Sequence, residues 1–241
     1  MVVKSQIKLV KNLQQKKYRN QHGLFVAEGR KTVQEVLGSG ITPKILYSTD
    51  KNELPDHEEE ITLVGAKVLE RMSGLKTPNK ILGVFEIPRE PALPTKGWVI
   101  ALDGVKDPGN MGTIIRLCDW FGIAHLVCSE DTVDCYNPKV VQATMGSIGR
   151  VHVHYTDLTS FVKGFPNDSY GAMLDGTPIQ GTTFPKEGVL VMGSESHGIS
   201  VGVQKALHHT ISIQQYGSSS AESLNVATAS AIFLHEIRRS Q

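Results

Sequence analysis

Six short apolar runs after residue 97 limit what this chain can fold into more than any other feature. They are WVIALD (98–103), HLVCS (125–129), VHVHY (151–155), GAMLDG (171–176), GVLVMG (188–193) and TISIQ (210–214). Several are apolar at consecutive positions instead of alternating, which is the pattern of parallel strands covered on both faces. Helical patterns fit between them at 111–121, 138–148, 157–164 and 200–208, with a last one from about 223 to 238. Strands alternating with helices predict an α/β fold with a mostly parallel sheet.

The stretch IPREPALPTKG (87–97) precedes this region and carries three prolines and a glycine. Proline stiffens the chain and blocks strand pairing, so the stretch reads as a linker with a domain boundary near residue 93. Ahead of it lie LFVAEG, KILYST, ITLVG and KILGVFEIP as strands, with RKTVQEVLGSG and AKVLERMSG as helices. These predict a small α/β sandwich in residues 1–93. At its start Val3, Ile7 and Val10 fall at helical spacing beside a stripe of Lys4, Lys8 and Lys11, so a helix packed on one side and basic on the other is expected.

The charge distribution adds a partner class. Residues 1–30 hold seven Lys/Arg and one acid, Glu28, a local charge of +6 in a chain whose total is +1. A basic end on an otherwise mildly acidic chain suits contact with a polyanion, although a merely solvated basic helix has the same composition. No run of about 18 uncharged apolar residues predicts a membrane span. The N-terminus lacks the apolar core of a secretory signal. Cys118, Cys128 and Cys135 have neither CxxC nor CxxH spacing, so reduced thiols in a cytoplasmic protein are expected, and no metal site.

Three stretches of the second half each follow a strand, where open parallel sheets bind ligands. In DPGNMGTIIRLCDWFG (107–122), Asn110 reads as an N-cap and Gly122 as a C-terminal stop. Ile114, Ile115, Cys118 and Phe121 read as its buried side. Arg116 is then either a solvent-facing arginine or a functional one. In VLVMGSESHGIS (189–200) an apolar strand enters a turn of small residues around Glu195, where a ligand can lie against backbone. The alternative there is an ordinary tight turn with a hydrated acid. In TISIQQYGSSSAESLNVATASAIFLHEI (210–237) Ser223 reads as the start of a helix. Asn225 in that first turn is unexpected, because its side chain competes for backbone hydrogen bonds. No GxxxxGK[ST], G-x-S-x-G or strand-following GxGxxG is present, which removes P-loop, serine-hydrolase and ordinary dinucleotide readings.

In order, these stretches resemble the SpoU (TrmH-like) family of RNA ribose methyltransferases, within the SPOUT class. The N-x-G-x-x-x-R motif corresponds to Asn110, Gly112 and Arg116. The G-x-E-x-x-G motif corresponds to Gly193, Glu195 and Gly198, and S-L-N-V to Ser223, Leu224, Asn225 and Val226. KKYRNQHGLFVAEGRKTVQEVL (16–37) resembles the family's ribosomal-protein-like RNA-binding extension. Two departures stand out: Gln214 follows Ile213 where the family has proline, and the loop 214–222 is longer than in short members.

The resemblance implies a trefoil-knotted methyltransferase domain over 94–241 and an RNA substrate-binding domain over 1–93. It implies S-adenosylmethionine as methyl donor, held by Gly193, Ile213 and Leu224, and transfer to a ribose 2′-hydroxyl. It assigns the chemistry to Arg116, Asn110, Glu195, Ser223 and Asn225, leaving the general base open. A guanidinium hardly deprotonates, so Arg116 is expected to stabilise developing alkoxide charge or clamp a phosphate. RNA contacts are expected from Lys4, Lys8, Lys11, Lys16, Lys17, Arg19 and Arg30. The implied partners are ribosomal RNA ahead of transfer RNA, and a second copy in a homodimer. The competing reading is a non-catalytic RNA-binding or ribosome-assembly factor of the same fold; loss of Arg116, Glu195 or Asn225 would have favoured it.

Overall fold

A computed structural model describes residues 3–217 and 222–241, so most of the serine-rich tract 218–223 lies outside the described residues. In chain order the elements are α1 (Lys4–Asn12), α2 (Lys16–His22), β1 (Leu24–Glu28), α3 (Arg30–Gly38), β2 (Pro43–Ser48), β3 (Ile61–Leu63), α4 (Ala66–Met72) and β4 (Ile81–Glu86). They continue with β5 (Trp98–Asp103), α5 (Pro108–Trp120), β6 (His125–Ser129), α6 (Pro138–Thr144), β7 (His152–Thr156), α7 (Leu158–Gly164) and β8 (Ser169–Pro178). The last four are β9 (Gly188–Gly193), α8 (Val201–Gln204), β10 (His209–Ser212) and α9 (Val226–Arg239). Packing groups Met1–Arg89 with Asp134–Arg150, and Glu90–Val133 with Val151–Gln241.

The first unit is built on a four-stranded sheet of order β1-β4-β2-β3, antiparallel except for the β2–β3 pair. Ile7, Val10 and Leu13 of the α1 region and Leu69 and Met72 of α4 pack on Leu24, Val26, Leu82 and Val84. Phe25 points the other way, stacking on Phe85 at 5.6 Å and meeting Tyr136 at 4.8 Å. All five residues of β1 are therefore buried. Truncating a core side chain such as Val10 or Leu69 to alanine is expected to cost about 2–5 kcal/mol at most, the transfer loss plus the cavity left behind. Val3 departs from the expected stripe: it sits just ahead of α1 and is exposed.

The second unit holds a six-stranded sheet of order β10-β8-β9-β5-β6-β7 in which every neighbouring pair is parallel. On one face Val99, Ala101, Val127, Val189 and Val191 meet Leu158, Val162 and Val203 of α7 and α8. Buried residues of α5 and α9, among them Ile114, Ile115, Cys118, Phe233, Leu234 and Ile237, complete the core. Covering both faces explains the unbroken apolar runs of β5 and β9. α9 also finishes α5: Arg238 donates from Nε to the Phe121 carbonyl at 2.8 Å and from Nη2 to that of Gly122 at 3.1 Å. Those carbonyls belong to the turn that ends α5, where a helix leaves acceptors without intrahelical partners. The helix expected over 200–208 is a single turn, because the chain must extend again to enter β10 at His209. No helix among the described residues is long and apolar enough to cross a membrane.

Candidate functional site

From β5 the chain steps outward through β6 to β7, then returns to the far side of β5 for β8 and β9. The strand order thus reverses between β5 and β9. A crevice opens at such a switch point, outside the carboxyl ends of the strands. The loop after β5 carries Asn110, and the loop after β9 carries Glu195.

Asn110 is not the N-cap of α5. Asp107 takes that role, its side chain accepting from the Asn110 backbone N–H at 2.8 Å, and Pro108 occupies the first turn. This leaves the Asn110 amide for other work. Its Nδ2 donates to Glu195 Oε1 at 2.6 Å, and its Oδ1 accepts from Asn225 Nδ2 at 2.8 Å. Asn225 in turn caps α9, its Oδ1 accepting from the N–H groups of Ala227 at 3.0 Å and Thr228 at 3.2 Å. Helix α9 therefore starts at Val226, three residues later than the pattern around Ser223 suggested. The asparagine that looked out of place in a first turn is the cap. One residue from each motif stretch joins this chain of hydrogen bonds.

The turn bearing Glu195 is closed tightly. Ser194 and Gly198 exchange backbone hydrogen bonds at 3.0 and 2.9 Å, and Asp103 accepts from the Ser200 N–H at 2.7 Å. A Cβ on Gly193 would lie 2.1 Å from the Gly198 carbonyl carbon. Glycine is needed there because the chain folds back on itself, a different reason from the ligand approach the sequence suggested. A second network braces the loop after β5. Ser129 Oγ accepts from the Gly104 N–H at 2.9 Å and donates to Asp131 at 2.6 Å, and Lys106 Nζ reaches Asp131 Oδ2 at 2.6 Å. The lysine hydrogen bond, with the serine hydroxyl second, holds the Asp131 carboxyl below the usual aspartate range. Ser129, Asp131 and Lys106 carried no motif, and only their positions after β5 and β6 could have suggested them.

Beside the hydrogen-bonded chain is a cavity of about 640 Å³, within the range of small-ligand sites. Gly193, Ile213, Ser223 and Leu224 line it, with Met192 and Phe233 among its apolar walls. Glu195 lies on the same wall, so the cavity and the polar chain share one residue. Arg116 is elsewhere. It is exposed on the outer face of α5 with Thr113 and Trp120, the indole 84% accessible, and has no ion pair among the described residues. An arginine on that face needs no neutralising partner. Among the described residues no group of three side chains is arranged to hold a metal ion.

In the first unit Lys4, Lys8, Lys11, Lys16, Lys17 and Arg30 are exposed. Arg19 departs from its expected place on that surface. It is 2% accessible, its guanidinium pairs with Asp134, and its Nη1 donates to the Leu13 carbonyl at 2.8 Å. Its charge is spent inside the fold and is not available to a phosphate.

The sequence matches the SpoU rRNA Methylase family over residues 97–235 and the MRM3-like substrate binding domain over residues 4–83. It is 31% identical to the 23S rRNA (guanosine(2553)-2′-O)-methyltransferase RlmP of Bacillus subtilis, across 95% of this chain and 94% of that one. A solved structure of a TrmH-family protein from Porphyromonas gingivalis superposes with a TM-score of 0.91 at 36% identity, covering 100% of both chains. An AdoMet-bound rRNA methyltransferase from Sinorhizobium meliloti follows at 0.87 and 29%, covering 99% of this chain and 96% of that one. The motifs that meet at the β5–β9 switch point lie inside the matched region, and the chain belongs to the SpoU rRNA methylase family.

Proposed function

We propose that this chain transfers a methyl group from S-adenosylmethionine to a ribose 2′-hydroxyl of ribosomal RNA. The observation that carries the reading is the hydrogen-bonded chain Asn225–Asn110–Glu195 at the edge of the cavity. The named substrate of the Bacillus subtilis relative supports ribosomal RNA over transfer RNA.

The cavity suits the donor by size, by its apolar walls and by backbone-lined turns at Gly193, Ile213 and Leu224, which would hold it. When bound, S-adenosylmethionine supplies an electrophilic methyl carbon on a positively charged sulfur. Asn110, itself held by Asn225, fixes the Glu195 carboxylate through Oε1. Its other oxygen has no hydrogen bond among the described residues and can accept one from the ribose hydroxyl, making that oxygen a better nucleophile. Ser223, exposed on the cavity wall, would orient the ribose. Arg116 meets phosphate or developing alkoxide charge as a cation and not as a base. Positioning supplies much of the acceleration in a displacement of this kind.

The reading extends to a second copy, which we place against the exposed α5 face of Arg116 and Trp120, so that the arginine serves a site shared between copies. We read the C-terminal region as a trefoil knot. Residues 94–241 carry the chemistry, residues 1–93 hold RNA, and the protein works in the cytoplasm.

The test is methyl transfer from labelled donor to unmodified ribosomal and transfer RNA, read separately, with Asn225→Ala alongside. Label is expected as 2′-O-methyl ribose in ribosomal RNA, reduced about 10²–10³-fold in the variant by analogy with loss of one oriented donor. Label in neither pool, with RNA still bound, would replace this reading with that of a non-catalytic assembly factor.

A further inference from the structure

Three carboxylates line the cavity: Asp175 of β8, Glu195 after β9 and Glu222 on the approach to α9. Among the described residues no lysine or arginine lines it, and His197 is the only other titratable side chain on its wall. Glu195 is engaged by Asn110. Asp175 and Glu222 have no hydrogen bond or ion pair among the described residues, and nothing in the methyl-transfer reading uses them. A wall with this charge and no compensating cation is an unusual surround for a ligand that ends in a carboxylate of its own.

The donor and its product differ in one methyl group and one positive charge, both at sulfur; their other polar groups are identical. We infer that Asp175 and Glu222, adding to Glu195, make the cavity a charge selector that holds the sulfonium donor and releases the neutral thioether product. The inference rests on the methyltransferase reading and deepens it. A sphere of the cavity's volume has a radius of about 5 Å, so a charge near its centre lies within the roughly 8 Å over which physiological salt screens. At that separation, with an effective dielectric between protein surface and water, each carboxylate is expected to favour the cation about three- to ten-fold. Transfer itself switches the preference off. The carbon–sulfur bond breaks as the carbon–oxygen bond forms, the sulfur keeps the bonding electron pair and becomes neutral, and the hydroxyl proton leaves to solvent.

Binding measures this without turnover. Isothermal titration of the full chain with S-adenosylmethionine, S-adenosylhomocysteine and sinefungin, an unreactive analogue with an ammonium-bearing carbon in place of the sulfonium, gives the cation-to-neutral ratio. The wild type is expected to prefer both cations to the thioether by at least about ten-fold, less so as salt is raised. Asp175→Asn and Glu222→Gln should each lower that ratio about three- to ten-fold while leaving S-adenosylhomocysteine affinity near the wild-type value. A purely structural role would weaken all three ligands together and leave the ratio unchanged, which would overturn the inference. Wild-type protein that binds donor and product equally would also overturn it, while leaving the methyltransferase reading intact. Failure to bind any of the three would sink both.

Discussion

Two polar clusters, one in each unit, are treated in opposite ways. In the first, charge that enters the interior is consumed there: Arg19 is buried against Asp134 and the Leu13 carbonyl, and Glu28 accepts from Ser73 Oγ at 2.5 Å and the Gly74 N–H at 2.8 Å. In the second, Asn110, Glu195 and Asn225 remain at the surface and spend their hydrogen bonds mainly on one another. Burial and full satisfaction are what a fold requires of a charge. Polar groups held in fixed positions while still open to solvent serve a ligand instead, since they are oriented before it arrives. The contrast separates residues whose loss should be read in stability from residues whose loss should be read in activity.

Four variants test that separation. Arg19→Ala strands Asp134 beside the apolar interior and is expected to lower stability by about 3–5 kcal/mol in urea unfolding. A loss below about 1 kcal/mol would mean the pair is solvated and the contrast false. Arg116→Ala should do the reverse. Its exposed position predicts a stability change within about 0.5 kcal/mol, while methyl transfer falls about 10²–10³-fold, taking loss of one transition-state contact as the guide. Full activity in that variant would remove Arg116 from the chemistry. Replacing Lys4, Lys8 and Lys11 together with alanine should leave the melting profile in place and weaken RNA binding. The slope of log affinity against log salt should become shallower by about 2, from three phosphate contacts at roughly 0.7–0.9 each; an unchanged slope would return this helix face to solvent.

The smallest effect belongs to Lys106→Ala. The Asp131 carboxyl is held below its usual range in the folded chain, so its contribution is present above that range and is lost as pH falls through the lowered value. The variant should therefore be less stable than the wild type at pH 6 by under about 1 kcal/mol, since the pair is exposed. The two should converge as pH falls through that lowered value. A gap that does not change with pH would show that the lysine acts through packing.

Strands were legible wherever burial on both faces wrote itself as an apolar run, as in β5 and β9. Helix α2 was not: KKYRNQH has no apolar periodicity, and what fixes its arginine is Asp134, 115 positions along the chain. Composition cannot distinguish that arginine from the exposed lysines around it. The motif residues could be found from their order, but not their geometry. Asp107 and Asn110 both suit an N-cap, and only the backbone decides which one is left to reach Glu195. Arg116 shows the converse, since its motif spacing matches while its side chain lies on a different helix face from Asn110. Strand order, and with it the switch point, depends on long-range pairing that no local pattern records.

The grouping of Asp134–Arg150 with the first unit bears on how the protein is made. Tyr136 meets Phe25, and Val140 and Val141 are buried, so the amino-terminal unit lacks part of its interior until residue 150 has left the ribosome. By then β5 and β6 have been synthesised without β9, the strand that pairs along the other side of β5. The amino-terminal unit therefore cannot finish before synthesis of the second has begun, and the usual order in which one domain is complete before the next emerges does not apply. Cutting the gene at the proline-rich linker would yield two fragments, each carrying an uncovered apolar surface, and both should aggregate when expressed alone.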